Sequence, residues 1–281
     1  MSNADDTDTD EFPSVKLDVT QPSIARSYDA VLGGKDNYEI DRKVRDQLLA
    51  AAPELGKLAW DNREFLIRVT RYIAGSLGIS QFLDCGSGLP TVENTHEAAQ
   101  RVNPEAIVVY VDNDPMVIVH GQALLVENER THFAAADFSD PEAVLHNESV
   151  VKHLDFDQPL ALYHIGTLHH LPDEARPDEI MAANIAALPS GSYVALSHFY
   201  NPGDEDPELS ALANRLEDSF LNSPMASGRF RTRAELMRYF DGLELVEPGL
   251  VVLEDWWPDG PRLKPRDPVQ RLMVGAVGRK P

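Results

Sequence analysis

Hydrophobic positions show no periodicity over residues 1–20, recur at helical spacing between Pro22 and Leu77, and then gather into short runs. In the second stretch, Ser23 can cap a helix beginning at Ile24 that Gly33 and Gly34 should break. A second helix fits 40–51 and stops at Pro53. A third fits 61–77 and places Phe65, Val69, Tyr72 and Ile73 on one side. The runs that follow are QFLDC (81–85), AIVVYVD (106–112), THFAAAD (131–137), LALYHIG (160–166), SYVALSHF (192–199), LELVEPG (243–249) and RLMVGAVGR (271–279). Segments of helical character separate most of them, at 91–102, 116–127, 142–146, 177–187 and 233–240.

Strands alternating with helices imply an α/β fold whose mostly parallel sheet is covered on both faces. The last two runs have no helix between them and are expected to pair antiparallel. Residues 201–230 form an insertion after the fifth strand, with one helix at 209–220. Insertions after strand ends border the ligand crevice of such sheets. The expected plan is an acidic disordered tail over 1–20, a helical cap over 21–78 and a sheet domain over 79–281.

Charge narrows the partners. The 281 residues carry a formal charge of −21, and Asp5, Asp6, Asp8, Asp10 and Glu11 crowd the N-terminus. A phosphate backbone needs Lys and Arg to neutralise it, so a nucleic-acid substrate is disfavoured. The groups Arg229-Arg231-Arg233 and Arg262-Lys264-Arg266 read as solvated faces. No run reaches the roughly 18 apolar residues of a membrane helix, and the acidic start lacks the order of a secretory signal. The single cysteine, Cys85, excludes an intrachain disulfide and reads as a small buried residue. The expectation is a cytoplasmic protein with no membrane partner.

Ligands of open α/β sheets bind beyond the carboxyl ends of the strands, so the residues standing there carry the chemistry. The first run ends in Asp84 before Gly86-Ser87-Gly88, the second in Asp112-Asn113-Asp114, the third in Asp137-Phe138. Glycines 86 and 88 let backbone approach a ligand closely. Asp112 can accept both hydroxyls of a ribose, in bonds worth roughly 1.5–3 kcal/mol each. Asp137 can accept from an adenine amino group, with Phe138 or Val111 flanking the ring. A dinucleotide fingerprint would need glycine at 91 and finds Thr91. Asp84 would repel a pyrophosphate and welcome an ammonium and a sulfonium, which S-adenosylmethionine carries together.

LDCGSGLP resembles the first motif of class I S-adenosylmethionine-dependent methyltransferases, with Pro90 where a glycine is common. VDND, ADF and the fourth strand's end resemble the later cofactor motifs, in order, which brings Ser87, Asn113 and His164 into the cofactor set. SIARSYDAVLGGKDNYEIDR, DCGSGLPT, YVDNDP and EDWWPDG together are similar to an actinomycete-type family described only as S-adenosyl methyltransferase. The resemblance implies a Rossmann-like seven-stranded sheet of order 3-2-1-4-5-7-6, the last strand antiparallel, and supplies no acceptor.

The function expected is therefore methyl transfer from S-adenosylmethionine to a small molecule. Its rivals are a non-catalytic protein that binds the same cofactor and a nicotinamide-dependent oxidoreductase. His169 and His170 follow the fourth strand, where the transferred methyl should lie, and are first choices for a base; Tyr28 is second. His164, His169 and His198 match no metal-binding spacing, so no metal is assigned. The polar stretch Gly33–Tyr38 is expected to close over the site, with Tyr28, Lys35 and Asn37 facing inward. Trp256 and Trp257 are expected against the last strands.

Overall fold

The computed structural model describes residues 18–91, 93–125 and 128–281; nearly all of the expected acidic tail lies outside them. The strands are β1 (Gln81–Cys85), β2 (Ile107–Asp112), β3 (Thr131–Ala135), β4 (Ala161–Ile165), β5 (Tyr193–Phe199), β6 (Glu244–Leu245), β7 (Val251–Val252) and β8 (Met273–Arg279). They form one sheet of order β3-β2-β1-β4-β5-β8-β6, with β7 also on β8. β1 to β5 pair in parallel. β8 runs antiparallel between β5 and β6, as a Rossmann-like methyltransferase sheet requires.

The sheet departs from expectation at the sixth run. Glu244 and Leu245 pair with β8 and Val246 N still donates to the Val277 carbonyl at 2.8 Å before the ladder breaks, and Pro248 has no N–H to offer it. Pairing resumes at Val251 and Val252, opposite Gly275 and Val274, as a short extra strand.

Every residue of β1, β4 and β5 is buried, so these strands read as mainly apolar runs rather than as alternating ones. Alternate residues serve two cores. Phe82, Val108 and Ala161 face one with the cap, while Leu83, Val109 and Leu162 face the other with Met181 and Ile185. The helices are α1 (Ile24–Leu32), α2 (Glu39–Ala51), α3 (Leu55–Arg71), α4 (Thr95–Val102), α5 (Pro115–Leu125), α6 (Pro141–Leu145), α7 (Glu148–His153), α8 (Pro177–Ala187), α9 (Pro207–Leu221) and α10 (Arg233–Arg238). None among the described residues is long and apolar enough to cross a membrane.

Boundaries move where local hydrogen bonding decides them. α3 begins at Leu55, directly after Pro53 ends α2, and its end is prolonged by a π turn over Tyr72–Ser76. α4 begins at Thr95 rather than Thr91 because Asn94 and Glu97 form a capping box. The segment expected at 142–146 is two short helices, α6 and α7, each capped by its own side chain, Asp140 and Asn147.

The cap is tied to itself and to the sheet. Arg26 Nε donates to Asp41 Oδ2 at 2.9 Å with both side chains buried, joining α1 to α2. Ser23 N and Tyr38 N also donate to that carboxylate. Below them, Phe65, Val69 and Ile73 of α3 are fully buried against the sheet. Trp256 packs edge-on against Phe65 and Tyr72 of the cap, in a core that also holds Met273 and Val277 of β8. Trp257 Nε1 donates to the Glu247 carbonyl.

The cap meets β8 closely at Gly275. A Cβ there would stand 2.6 Å from Phe65 Cζ and 2.9 Å from Leu253 Cδ2. Gly275→Val should therefore lose roughly 1–3 kcal/mol through overpacking. Urea denaturation measures it; an unchanged midpoint would show that cap and sheet are not in contact here.

Candidate functional site

Beyond the carboxyl ends of β1, β2, β4 and β5, roofed by α1 and α3, lies a cavity of about 540 Å³. The glycine loop enters it through Asp84, Gly86, Ser87 and Gly88, and the end of β2 through Asp112, Asn113 and Asp114. Phe138, Thr167, His169 and His170 supply the side toward β4, and Tyr28 supplies part of the roof. Phe220, Pro224 and Met225 bring the 201–230 insertion to one wall. The structure thus gathers most of the sequence's candidates around one space.

Asp84 is the most constrained of them. It is 4% exposed; Oδ2 accepts from Thr95 Oγ1 at 2.6 Å, and Oδ1 accepts no hydrogen bond from the described residues. Burial pushes its carboxyl up to about 6, against the Thr95 bond and the Arg63 charge, while Asp112 adds repulsion. Asp112 accepts from Gly88 N at 2.9 Å and from Asp114 N at 2.9 Å, so its backbone bonds shape the loop. Burial raises its carboxyl too. Gly86 has a local reason to be glycine: a Cβ would sit 2.5 Å from Thr167 Cγ2, so the turn closes against β4's end. Cys85 is buried, and burial raises its thiol out of the reactive range.

Arg63 was missed in the sequence. It is buried on α3, lines the cavity, and donates from Nη2 to the Glu93 carbonyl at 3.0 Å, while Nε has no partner. Its signal was a charge beside the apolar stripe Leu55, Leu58, Ala59, Leu66, whose spacing marks the inward face of a helix. Asn62 beside it accepts from Ser197 Oγ at 2.6 Å and donates to Tyr28 Oη at 3.3 Å.

The histidines separate. His169 lines the cavity, 3% exposed, stacked on Phe199 with centroids 3.8 Å apart. Nδ1 is buried with no partner, and neither ring nitrogen bonds to a described residue. Burial, then the neighbouring His170, His198 and Arg231, hold it well below the usual imidazole range, so it is neutral. His170 meets Ser227 Oγ through Nδ1 at 2.9 Å and is lowered to about 4 by burial. Tyr28 is the poorer candidate for a base: burial raises its phenol, which stays protonated, and its O–H donates to the Ala59 carbonyl at 3.0 Å.

Several expected positions lie elsewhere. His164 is fully buried behind the site, held by Thr167 Oγ1 and Asn184 Nδ2 at 3.3 and 3.0 Å, and does not line the cavity. Its place on β4 points it away from the end of the strand. Asp137 is exposed and outside the lining; Oδ1 accepts from Ser139 N and Oγ, and Oδ2 from Asn113 Nδ2 at 3.1 Å. Lys35 is exposed, and Asn37 turns to Asp29 instead of the cavity. The GGKDN turn wraps that carboxylate, which accepts from Asp36 N as well, and a Cβ on Gly34 would fall 1.9 Å from Asp29 Oδ1. Arg231 is not a solvated charge: it is 5% exposed, donating to Asp173 Oδ1 at 2.7 Å and to His198 Nε2 at 3.0 Å. Among the described residues, no group of three or more His, Cys, Asp or Glu could hold a metal ion.

A family model described as S-adenosyl methyltransferase matches residues 10–281. Among solved structures, one from Thermobifida fusca YX carrying a provisional methyltransferase assignment is 43% identical, covering 96% of this chain and 99% of its own, with a TM-score of 0.88. A DUF574 family protein from Streptomyces avermitilis MA-4680 is 38% identical, covering 95% of this chain and 100% of its own, with a TM-score of 0.87. Among curated proteins none matches.

Asp84 also makes a stability test. Because folding raises its pKa, the protonated form is favoured, and a penalty grows as pH rises from about 4 through about 6. A shift of that size corresponds to about 3 kcal/mol. Asp84→Asn keeps an acceptor for Thr95 and escapes the penalty. It should stabilise the ligand-free protein at pH 7.5 and do so much less near pH 4, measured by urea denaturation. A loss of stability at neutral pH would contradict the buried charge.

Proposed function

The chain belongs to the S-adenosyl methyltransferase family, and on that premise we propose that it methylates a small molecule held in the cavity beneath its helical cap. S-adenosylmethionine is the cofactor. The residues present suit it: Asp84 keeps one carboxylate oxygen free, Arg63 keeps a buried Nε without a partner, and Gly88 leaves open space where a Cβ would stand. In this reading Asp84 takes the amino group, Arg63 the carboxylate, and Asp112 the ribose hydroxyls. Phe138 flanks the adenine, and Asn113, held by Asp137, meets its edge.

When bound, the cofactor supplies a methyl group on a cationic sulfur that leaves as a neutral thioether. The chain's own contribution is positioning and exclusion of water. Holding a nucleophile in register with a reacting carbon can lower a barrier by roughly 7–11 kcal/mol. The cap and the insertion enclose the space in which that register is kept. A cavity of about 540 Å³ is of the size that takes a drug-sized ligand, which supports a small acceptor. His169, neutral and unpartnered, can receive a proton from the acceptor. That group favours an enzyme over a protein that only binds the cofactor. A dinucleotide is disfavoured, since its pyrophosphate would meet the carboxylates of Asp84, Asp112 and Asp114.

The observation that carries the reading is Asp84, enclosed under the cap beside Arg63 with an oxygen left for an ammonium. Calorimetry with S-adenosylhomocysteine on the full chain tests it. Saturable binding is expected, weakened roughly 10- to 100-fold by Asp84→Asn through loss of a charge-assisted bond. Affinity should fall up to about tenfold per pH unit below about 6, as Asp84 takes a proton. Tight binding of NAD with no response to S-adenosylhomocysteine would end the proposal.

A further inference from the structure

The charges of the cavity are unevenly placed. Among the described residues, Arg63, Asp84, Asp112 and Asp114 are its formally charged lining; the first three stand where the cofactor reading needs them, and Asp114 lies beside Asp112 with Oδ1 accepting from Met116 N at 2.8 Å. The remaining wall is apolar in the main, through Leu58, Leu66, Phe199, Phe220, Met225 and Met273. The polar groups set into it are mostly satisfied. Tyr28 bonds to Ala59, Asn62 to Ser197, and His170 to Ser227. Two are not: the His169 ring and Ser27 Oγ, both more than nine-tenths buried and both on the lining, lack partners. Buried polar groups are seldom left unbonded, and two residues that carry such groups on the lining of one cavity are candidates to meet a ligand's own polar atoms.

This wall discriminates by charge. Among the described residues, an ammonium placed there would have no carboxylate of its own and would lie beside the cationic sulfur, and a carboxylate or phosphate would find no Lys or Arg beyond the one that the cofactor's carboxylate takes. Burying either without a partner costs several kcal/mol. A neutral hydroxyl carries no such cost, and its developing negative charge is drawn to the neighbouring sulfonium in a low-dielectric space. Among hydroxyls, a phenol loses its proton near pH 10, as tyrosine does, far more readily than an aliphatic alcohol.

We propose that the methyl acceptor is an uncharged, largely apolar molecule bearing a phenol-type hydroxyl that hydrogen-bonds to His169. The inference rests on the methyltransferase reading and specifies its substrate class. In the step, the oxygen–carbon bond forms as the carbon–sulfur bond breaks and leaves its electron pair on sulfur. The hydroxyl proton passes to a ring nitrogen of His169 and is released to solvent once the ether departs.

The test uses the full chain loaded with S-adenosylhomocysteine and three probes of matched size, naphthol, naphthylmethylamine and naphthoate. Calorimetry should show naphthol binding at least about tenfold more tightly than either charged probe. With S-adenosylmethionine present, mass spectrometry should detect the naphthyl methyl ether. His169→Asn should slow its formation at least about 100-fold while naphthol affinity changes only a few-fold. Tighter binding of a charged probe, or exclusion of naphthol from the loaded protein, overturns the inference and leaves cofactor binding intact. Naphthol bound without ether formation overturns the assignment of the hydroxyl to His169. Failure of S-adenosylhomocysteine to bind at all would instead overturn the reading beneath it.

Discussion

A buried carboxylate at the end of β1 is the constraint around which the rest of this protein is arranged. Asp84 sits where a strand stops and a glycine turn begins, so its charge is delivered to the mouth of the sheet by backbone geometry alone. In water that charge would be hydrated and of little use in selecting a ligand. Under the cap it is nearly dry, one oxygen fixed by Thr95 and the other left to the cavity. The cost appears as the raised pKa, and an ammonium in the cavity would relieve it. Arg63 offsets part of the cost from α3, which ties the strength of the site to the seating of the cap.

The cap therefore has to be rigid, and its odd sequence serves that end. The stretch Gly33–Tyr38 looks like a loop that closes over a ligand, yet its polar groups turn inward on the protein itself. Asp29 gathers Asp36 N and Asn37 Nδ2, and Gly34 is glycine because the carboxylate occupies the space a side chain would need. Asp41 does the same work between α1 and α2 through Arg26, Ser23 and Tyr38. The insertion completes the enclosure: Leu209, Ala213 and Leu216 of α9 share a core with Val44 and Leu48 of α2. Roof and wall thus support one another, and the ligand space lies between them.

What the sequence disclosed, and what it hid, follows from how far apart the deciding groups lie. β1, β4 and β5 were legible because burial on both faces leaves mainly apolar runs, broken only by a few buried polar residues such as Asp84, His164 and Ser197. The glycine loop was legible because strand end, acid and turn are contiguous. β7 was not, since two residues of pairing after a proline leave no pattern to read. His164 and His169 look equivalent in a string, but one lies within β4 and is bonded to Asn184 on α8, while the other lies past the strand's end and faces the cavity. Arg63 announced itself only weakly, as a charge beside an apolar helix face, and becomes meaningful once α3 is laid over Asp84.

Arg231 is the sharpest instance, and it also explains why a cation close to the site does not make an anion pocket. Its guanidinium draws together Asp173 after β4, the Leu171 carbonyl and His198 of β5, segments that meet only in the fold. The donor from Arg231 fixes the tautomer of His198: Nε2 accepts, so Nδ1 carries the proton and gives it to the Phe199 carbonyl at 2.7 Å. His198 is thereby neutral and stands edge-on to His169, centroids 5.5 Å apart. A fixed positive charge behind the pair keeps both rings neutral before the transfer, so that His169 takes a proton only as the sulfonium loses its charge. The cation is already engaged, and its influence on the cavity is indirect. It keeps His169 a hydrogen-bond acceptor in an apolar wall, where a charged imidazolium would have reversed the selection.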